Sequence, residues 1–173
     1  MRLLHLYRPL LPSTRAQAIQ VLRTCHGLAE CGHQVTLLAN RGNQPDDYLA
    51  RMGVSPHPNL QVLISPVAHL GLTGLWFRRQ LARWWSGPPG VILARDKRRL
   101  LAAIQSHGKR GHRVILETHG LESMIGPEST DAHAVERQCV EVADALIANC
   151  RGTLAVWESA HTIDIPTLVS HNA

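Results

Sequence analysis

No stretch of this chain reaches the roughly 18 consecutive apolar residues that a membrane-spanning helix requires. At the amino terminus one arginine precedes a short apolar run, but Tyr7, Arg8 and two prolines interrupt it before any cleavage-site pattern, so it reads as a strand and not as a signal peptide. Cysteine is scarce: Cys25, Cys31, Cys139 and Cys150 lie on or beside apolar segments without the tight spacing of a disulfide framework, which points to a reducing, cytoplasmic setting. No G-x-G-x-x-G follows the first strand and no G-x-x-x-x-G-K-[ST] occurs anywhere, which argues against dinucleotide oxidoreductases and P-loop enzymes. A G-x-S-x-G elbow is also missing, and with it the usual hydrolase signal. Long Ser, Gln or Glu tracts, which would indicate disorder, are absent too.

What is present is ordinary globular composition: 173 residues, 45% hydrophobic and 18% charged. A chain of this length buries roughly two thirds of its unfolded surface and folds as one domain without staples. The single-domain expectation covers residues 1–173. The formal charge of +5 favours anionic partners such as phosphorylated ligands, acidic lipid or nucleic acid.

Strand and helix signals alternate along the whole chain. Leu3–Tyr7 is a first short strand; after the loop LLPST, Ser13 or Thr14 is placed to cap a helix whose apolar positions Ala18, Val21, Leu22, Cys25, Leu28 and Ala29 recur at helical spacing. Gly32 ends it, and Gln34–Ala39 forms the second strand. Residues 43–59 read as loop with at most a short helix around Asp47–Met52, followed by a strand at Leu60–Ser65. Leu72–Trp85 is expected to be helical, then Val91–Ala94 extended, Lys97–Ser106 helical and Val114–Thr118 extended. Further on come a helix at Asp131–Ala143, a strand at Ala145–Ala148, a helix at Arg151–Ala160 and a last strand at Pro166–Val169. No two strands are joined by a hairpin turn. The expected fold is therefore α/β: a Rossmann-like, doubly wound, mainly parallel sheet of about seven strands with helices on both faces and right-handed crossovers.

In such sheets ligands sit outside the carboxyl ends of the strands. The segment RVILETHG, Arg113 to Gly120, is the clearest case: an uninterrupted apolar run, Val114–Leu116, that ends in Glu117, Thr118, His119 and Gly120. His119 is the first candidate, since an imidazole at a strand end can hydrogen-bond a ligand hydroxyl or phosphate while Gly120 lets backbone come close. The bland reading is a partly buried structural imidazole, one of eleven histidines. Glu117 is placed to orient its neighbours. Arg8, Arg95, Asp96, Asn149 and Arg151 follow other strands, and Ser13, Thr14 and Arg15 lie in the first strand-to-helix loop and at the helix start. This edge is basic, and the planar fork of arginine suits phosphate oxygens. Phosphate or pyrophosphate in the cleft is the first binding expectation.

Two further patterns bear on function. His26 and His33 flank Cys31, but the spacing matches no standard zinc site and Cys25 falls on the apolar helix face, so no metal is expected. LWFRRQLARWW holds three of the four tryptophans; Phe77, Leu81, Trp84 and Trp85 share one side, with Arg79 and Arg83 roughly opposite. Such a helix either packs on the core with a solvated basic face or docks reversibly on an anionic membrane through Trp76, Arg79, Arg83, Trp84 and Trp85.

The segments STRAQAIQVLRTCHGLAECGHQVTLLA, LARDKRRL, ILETHG, ADALIANCRGTLAVW and PTLVSHNA, in that order, resemble the amino-terminal domain of family 4-type glycosyltransferases of the GT-B fold. The resemblance implies half of a two-domain enzyme, the half that shapes the acceptor site, with the donor nucleotide-sugar held by a second domain. It places His119 near the transferred sugar and Arg95, Asp96 and Asn149 along the cleft. It also implies retention of anomeric configuration without a tightly bound metal or other cofactor, in keeping with the absence of a D-x-D motif.

Two departures stand out. The family's glycine pair in the first loop is replaced by RPLLPST, and the chain stops at Ala173, about where the crossover to the donor domain is expected. The Glu-x7-Glu spacing at Glu128 and Glu136 reads as chance. The leading expectation is thus a half-enzyme active only with a donor-binding domain that is supplied by a partner chain or lost by truncation, acting on a phosphorylated or lipid-linked hydroxyl acceptor. Nucleic acid is not an expected partner. The competing readings are a non-catalytic sugar, nucleotide or phosphate-binding module, and an interaction protein or homodimer that uses the face which would otherwise meet the second domain. A cytoplasmic location, with peripheral contact on the inner membrane face, accompanies these readings.

Overall fold

The computed structural model describes residues 1–11, 13, 15–42, 50, 53–66, 72–121 and 129–170, the side chains of 129 and 130 excepted. The expected helix near 47–52, Thr14, Glu128 and the terminal residues 171–173 lie outside them. The described chain forms two compact units, residues 1–91 and 92–173.

In the first unit the strands are β1 (Arg2–Leu6), β2 (Leu10–Leu11), β3 (Gln34–Arg41) and β4 (Leu60–Ile64), with helices α1 (Ala16–Glu30) and α2 (Thr73–Trp85). β3 is central. Its even-numbered amides face β1 and then β2, with Gln34 donating to Met1 O, Asn40 to Pro9 O and Gly42 to Leu11 O; on its other side Val35 donates to Asn59 O ahead of β4. All three pairings are parallel. The apolar composition of β3 follows from this central position, because Val35, Leu37, Leu38 and Ala39 are all buried.

α1 buries Ala18, Val21, Leu22, Cys25 and Ala29, the stripe that the sequence spacing predicts. It ends in a Schellman arrangement: His33 N donates to Leu28 O and Gly32 N to Ala29 O, with Gly32 at φ 83°, a conformation open to glycine without a Cβ penalty. Its start corrects the expected cap. The N-cap residue is Arg15, which makes no side-chain cap bond, and the Ser13 hydroxyl instead accepts from Arg15 N at 3.2 Å. A serine two residues upstream of an amide closes a local turn more readily than it reaches the helix interior.

α2 buries Phe77, Leu81, Trp84 and Trp85. The guanidinium of Arg2 lies over the Trp84 ring, 4.1 Å from its centroid, and donates to the carbonyls of Trp84 and Pro88. Trp84 and Trp85 are 6% and 1% exposed, so the expectation that they contribute to a membrane surface is corrected: their indoles pack the core of this unit.

The second unit contains β5 (Val91–Ala94), α3 (Lys97–His107), β6 (Arg113–Thr118), α4 (Ser129–Val142), β7 (Ala145–Ala148), α5 (Arg151–Ala160) and β8 (Thr167–Val169). Strand order is β5-β6-β7-β8, with β6–β7 and β7–β8 parallel. Each strand is followed by a helix before the next begins, except at the β8 end. The expected Rossmann-like, mainly parallel α/β fold is therefore observed, with eight strands among the described residues. The addition is β2, a two-residue strand inside the segment expected to be loop.

At the amino ends of these strands Asp144 gathers cations. It accepts from Lys109 Nζ at 2.7 Å, Arg113 Nη1 at 3.0 Å and Val114 N at 2.8 Å. Burial alone would raise its pKa, but Lys109, the Val114 amide and Arg113 together hold it below the ordinary aspartate value.

Candidate functional site

The carboxyl ends of β5, β6 and β7 bring together, within the second unit, most of the residues that the strand-end rule selects. Thr118 pairs with Ala148 across β6 and β7, and Asn149 N donates to Thr118 O at 3.2 Å, so the His119 and Asn149 turns leave the sheet side by side.

His119 is held by its own strand. Its Nε2 lies 2.8 Å from Oε1 of Glu117, two residues back near the end of β6. Arg95, at the end of β5, directs Nη1 to that same oxygen at 3.8 Å, with its side chain 9% exposed. Glu117 is thus the hub: one carboxylate oxygen orients an imidazole from its own strand and a guanidinium from the neighbouring strand. Arg95 is consequently placed as a positioning residue more than as an open phosphate ligand.

Behind His119 the turn is tied down. The Thr118 hydroxyl donates to Gly120 O at 3.0 Å, and the indole N–H of the fully buried Trp157 donates to the same carbonyl at 3.4 Å. Among the described residues, a Cβ built on Gly120 would meet nothing within 4 Å.

The other candidates divide by unit. Asp96 serves α3: it is the N-cap, accepts from Arg99 N at 3.0 Å and pairs with the Arg99 guanidinium. Asn149 Oδ1 accepts from the Thr153 hydroxyl at 2.7 Å. Arg151 opens α5 and is exposed. In the first unit Arg8 lies 5.7 Å over the Phe77 ring, Ser13 is buried in its turn and Arg15 is exposed.

Sequence reasoning did not find Cys150, Thr153 or Trp157. Cys150 caps α5, its Sγ accepting from Thr153 N at 3.4 Å and lying 3.3 Å from the Thr153 hydroxyl. Those contacts with Thr153, hydroxyl first and amide second, outweigh burial and lower the thiol pKa. The signal was available as the Cys-x-x-Thr spacing at a strand-to-helix junction, the separation at which a cap reaches the third helical residue.

Beneath the site lies a buried polar network. Lys97 Nζ is 3.4 Å from Glu136 Oε1, His161 Nε2 is 3.6 Å from Glu136 Oε2, and the Lys97 ammonium sits 5.4 Å from the Trp157 ring. Burial first, then the facing His133, lowers the His161 pKa against the opposing pull of Glu136. Glu136 is fully buried and has a structural task. The sulfur and imidazole groups near α1 are likewise accounted for: Cys25 is in the core, and His26 pairs with Glu30 at 3.4 Å.

A family model described as a glycosyl transferase 4-like domain matches residues 16–155, well over half of the chain. The chain belongs to that family. The match runs from the first residue of α1 into α5 and takes in Arg95, Asp96, Glu117, His119, Gly120, Asn149 and Arg151 of this glycosyltransferase 4-like domain, leaving Arg8, Ser13 and Arg15 just outside. A search of curated proteins finds no match. Membership makes the chain a glycosyltransferase module and implies sugar donor and acceptor binding in general terms.

Proposed function

We propose that this glycosyltransferase module is the acceptor-side half of a retaining, sugar-nucleotide-dependent enzyme, working with a donor-binding domain on another polypeptide segment, and that residues 1–173 act together as that half. In the reaction the bond from the sugar C1 to the leaving phosphate breaks, a bond from C1 to the acceptor oxygen forms, and the acceptor proton passes to the phosphate side. The single observation that carries the reading is the Glu117 hub, which presets a histidine and an arginine at the carboxyl edge of a parallel sheet. An imidazole fixed in this way meets a sugar hydroxyl without first losing rotamer freedom, and such preorganisation favours the transition state.

In this reading His119 touches the sugar, and Gly120, Asn149 and Arg151 line the cleft beside it. Arg95, Glu117 and Asp96 set their positions. The hydroxyl acceptor carries the phosphate or lipid group that the basic edge favours. No helix of the described residues is long and apolar enough to cross a membrane.

Amide chemical-shift mapping tests this. The chain is titrated with a panel of hexose 1-phosphates and simple glycosides. Saturable shifts are expected at Thr118–Leu121 and Asn149–Thr153, about tenfold weaker in Glu117→Ala, whose His119 loses its anchor. A silent carboxyl edge across the whole panel would refute the site. Saturable binding without transfer, after co-expression with a donor-binding domain, would instead favour a non-catalytic binding module.

A further inference from the structure

α2 has two faces, and only one is used by the core. Phe77, Leu81, Trp84 and Trp85 point inward. Leu72, Leu75, Arg79 and Arg83 recur at three- and four-residue steps on the opposite side, with Arg78 and the half-buried Trp76 at its margins. Leu75 is 67% exposed and Leu72 49%, one turn apart at the amino end of the helix. Isolated exposed leucines are common, but two neighbours on a helix face are an apolar patch that water does not favour.

The charge around that patch is of one sign. Between Asp47 and Asp96 the chain contains no acidic residue, so Arg78, Arg79 and Arg83 have no carboxylate on their own helix or on the segments flanking it in sequence. A solvated face on a globular domain usually mixes both signs. Arginines interleaved with exposed leucines, and a tryptophan at the margin, match instead a surface that is anionic at one depth and apolar a few ångströms below. Nucleic acid would use the arginines but has no use for Leu72 and Leu75.

We propose that the outward face of α2, formed by Leu72, Leu75, Arg78, Arg79 and Arg83, docks the chain on an anionic phospholipid bilayer. The leucines enter the acyl boundary and the arginines meet the phosphates. This stands apart from the glycosyltransferase reading, since it uses a different face and needs no bound sugar. It also replaces Trp84 and Trp85, which are in the core, with residues the solvent reaches.

Co-sedimentation of the full chain with phosphatidylglycerol/phosphatidylcholine vesicles tests it. Binding is expected at low salt, weak binding in 0.5 M salt, and none to pure phosphatidylcholine. Arg79→Gln with Arg83→Gln should weaken partitioning roughly 30-fold, given the contribution of each arginine near an anionic surface. Leu75→Asp should abolish it, and neither change should move the urea midpoint, because these side chains face water. Arg23→Gln with Arg137→Gln removes the same charge elsewhere and should leave partitioning within about twofold. The proposal is overturned if the chain ignores phosphatidylglycerol vesicles at low salt. It is equally overturned if the two double variants weaken binding alike, or if Leu75→Asp binds as the parent does and heparin displaces both.

Discussion

The indole N–H of Trp157 in α5 donates to the carbonyl oxygen of Gly120, 37 residues away and one position beyond His119. The turn that carries the candidate histidine is therefore fastened from below by a fully buried aromatic side chain, while Glu117 fastens the imidazole from its own strand. Trp157→Phe keeps most of the packing and removes this bond. It should destabilise the chain by about 1–2 kcal/mol. The diagnostic measurement is hydrogen exchange: the Gly120 amide, which donates to Thr118 Oγ1 at 3.4 Å, should exchange faster by more than the global destabilisation accounts for. Uniform acceleration across the second unit would mean that Trp157 fills space and fastens nothing.

The Lys97–Glu136 pair offers a sharper energetic test, because both side chains are at most 5% exposed. Glu136→Gln leaves an ammonium in the interior without its counter-charge and should cost about 3–5 kcal/mol in chemical denaturation. Replacing both partners together, Lys97→Met with Glu136→Leu, should recover part of that loss, since the desolvation of two charges disappears with the pair while His161 still loses its carboxylate. Equal damage from the single and double changes would show that the pair is tied to the fold by more than its own charges.

Acid should act through Asp144. Its folded pKa lies below the ordinary value, so the carboxylate contributes stability that is fully present above about pH 4 and is lost as pH falls through the depressed folded value. Asp144→Ala should therefore cost about 2 kcal/mol at neutral pH, chiefly through the orphaned Val114 amide, and the difference from the parent should shrink as the parent is acidified. Denaturation midpoints measured from pH 7 down to pH 2.5 give the answer; a gap that stays constant would mean Asp144 is not the group that titrates.

The succession of strands and helices was legible because buried parallel strands are continuous apolar runs and amphipathic helices repeat at 3.6 residues, and both patterns are local. β2 was not legible: two residues carry no period, and Leu10–Leu11 is extended only because β3 runs past the end of β1 and offers its amides. The cap of α1 departs from the expected one for a related reason. Ser13 is the right residue type, but its hydroxyl is taken by the Arg15 amide before the helix begins. At the candidate site, the strand-end rule selects His119, Asn149 and Arg151 as neighbours at the sheet edge, yet the sharing of Glu117 by His119 and Arg95 joins residues at the ends of two strands, and no spacing in a single sequence announces such a pairing. The same holds for Trp157 and Gly120. Burial divided the tryptophans of α2, a matter of which helical face meets the sheet.

The two-residue strand β2 has a consequence for the first unit. By hydrogen-bonding to Asn40 and Gly42 through Pro9 and Leu11, it clamps the middle of the connection between β1 and α1 onto the sheet. A glycine-rich connection at that place would sample many shapes and settle only around a ligand. Here Pro9 and Leu11 are already hydrogen-bonded to the edge of β3, so the part of the connection they form is preorganised instead of adaptive, and any selectivity it confers rests on fit.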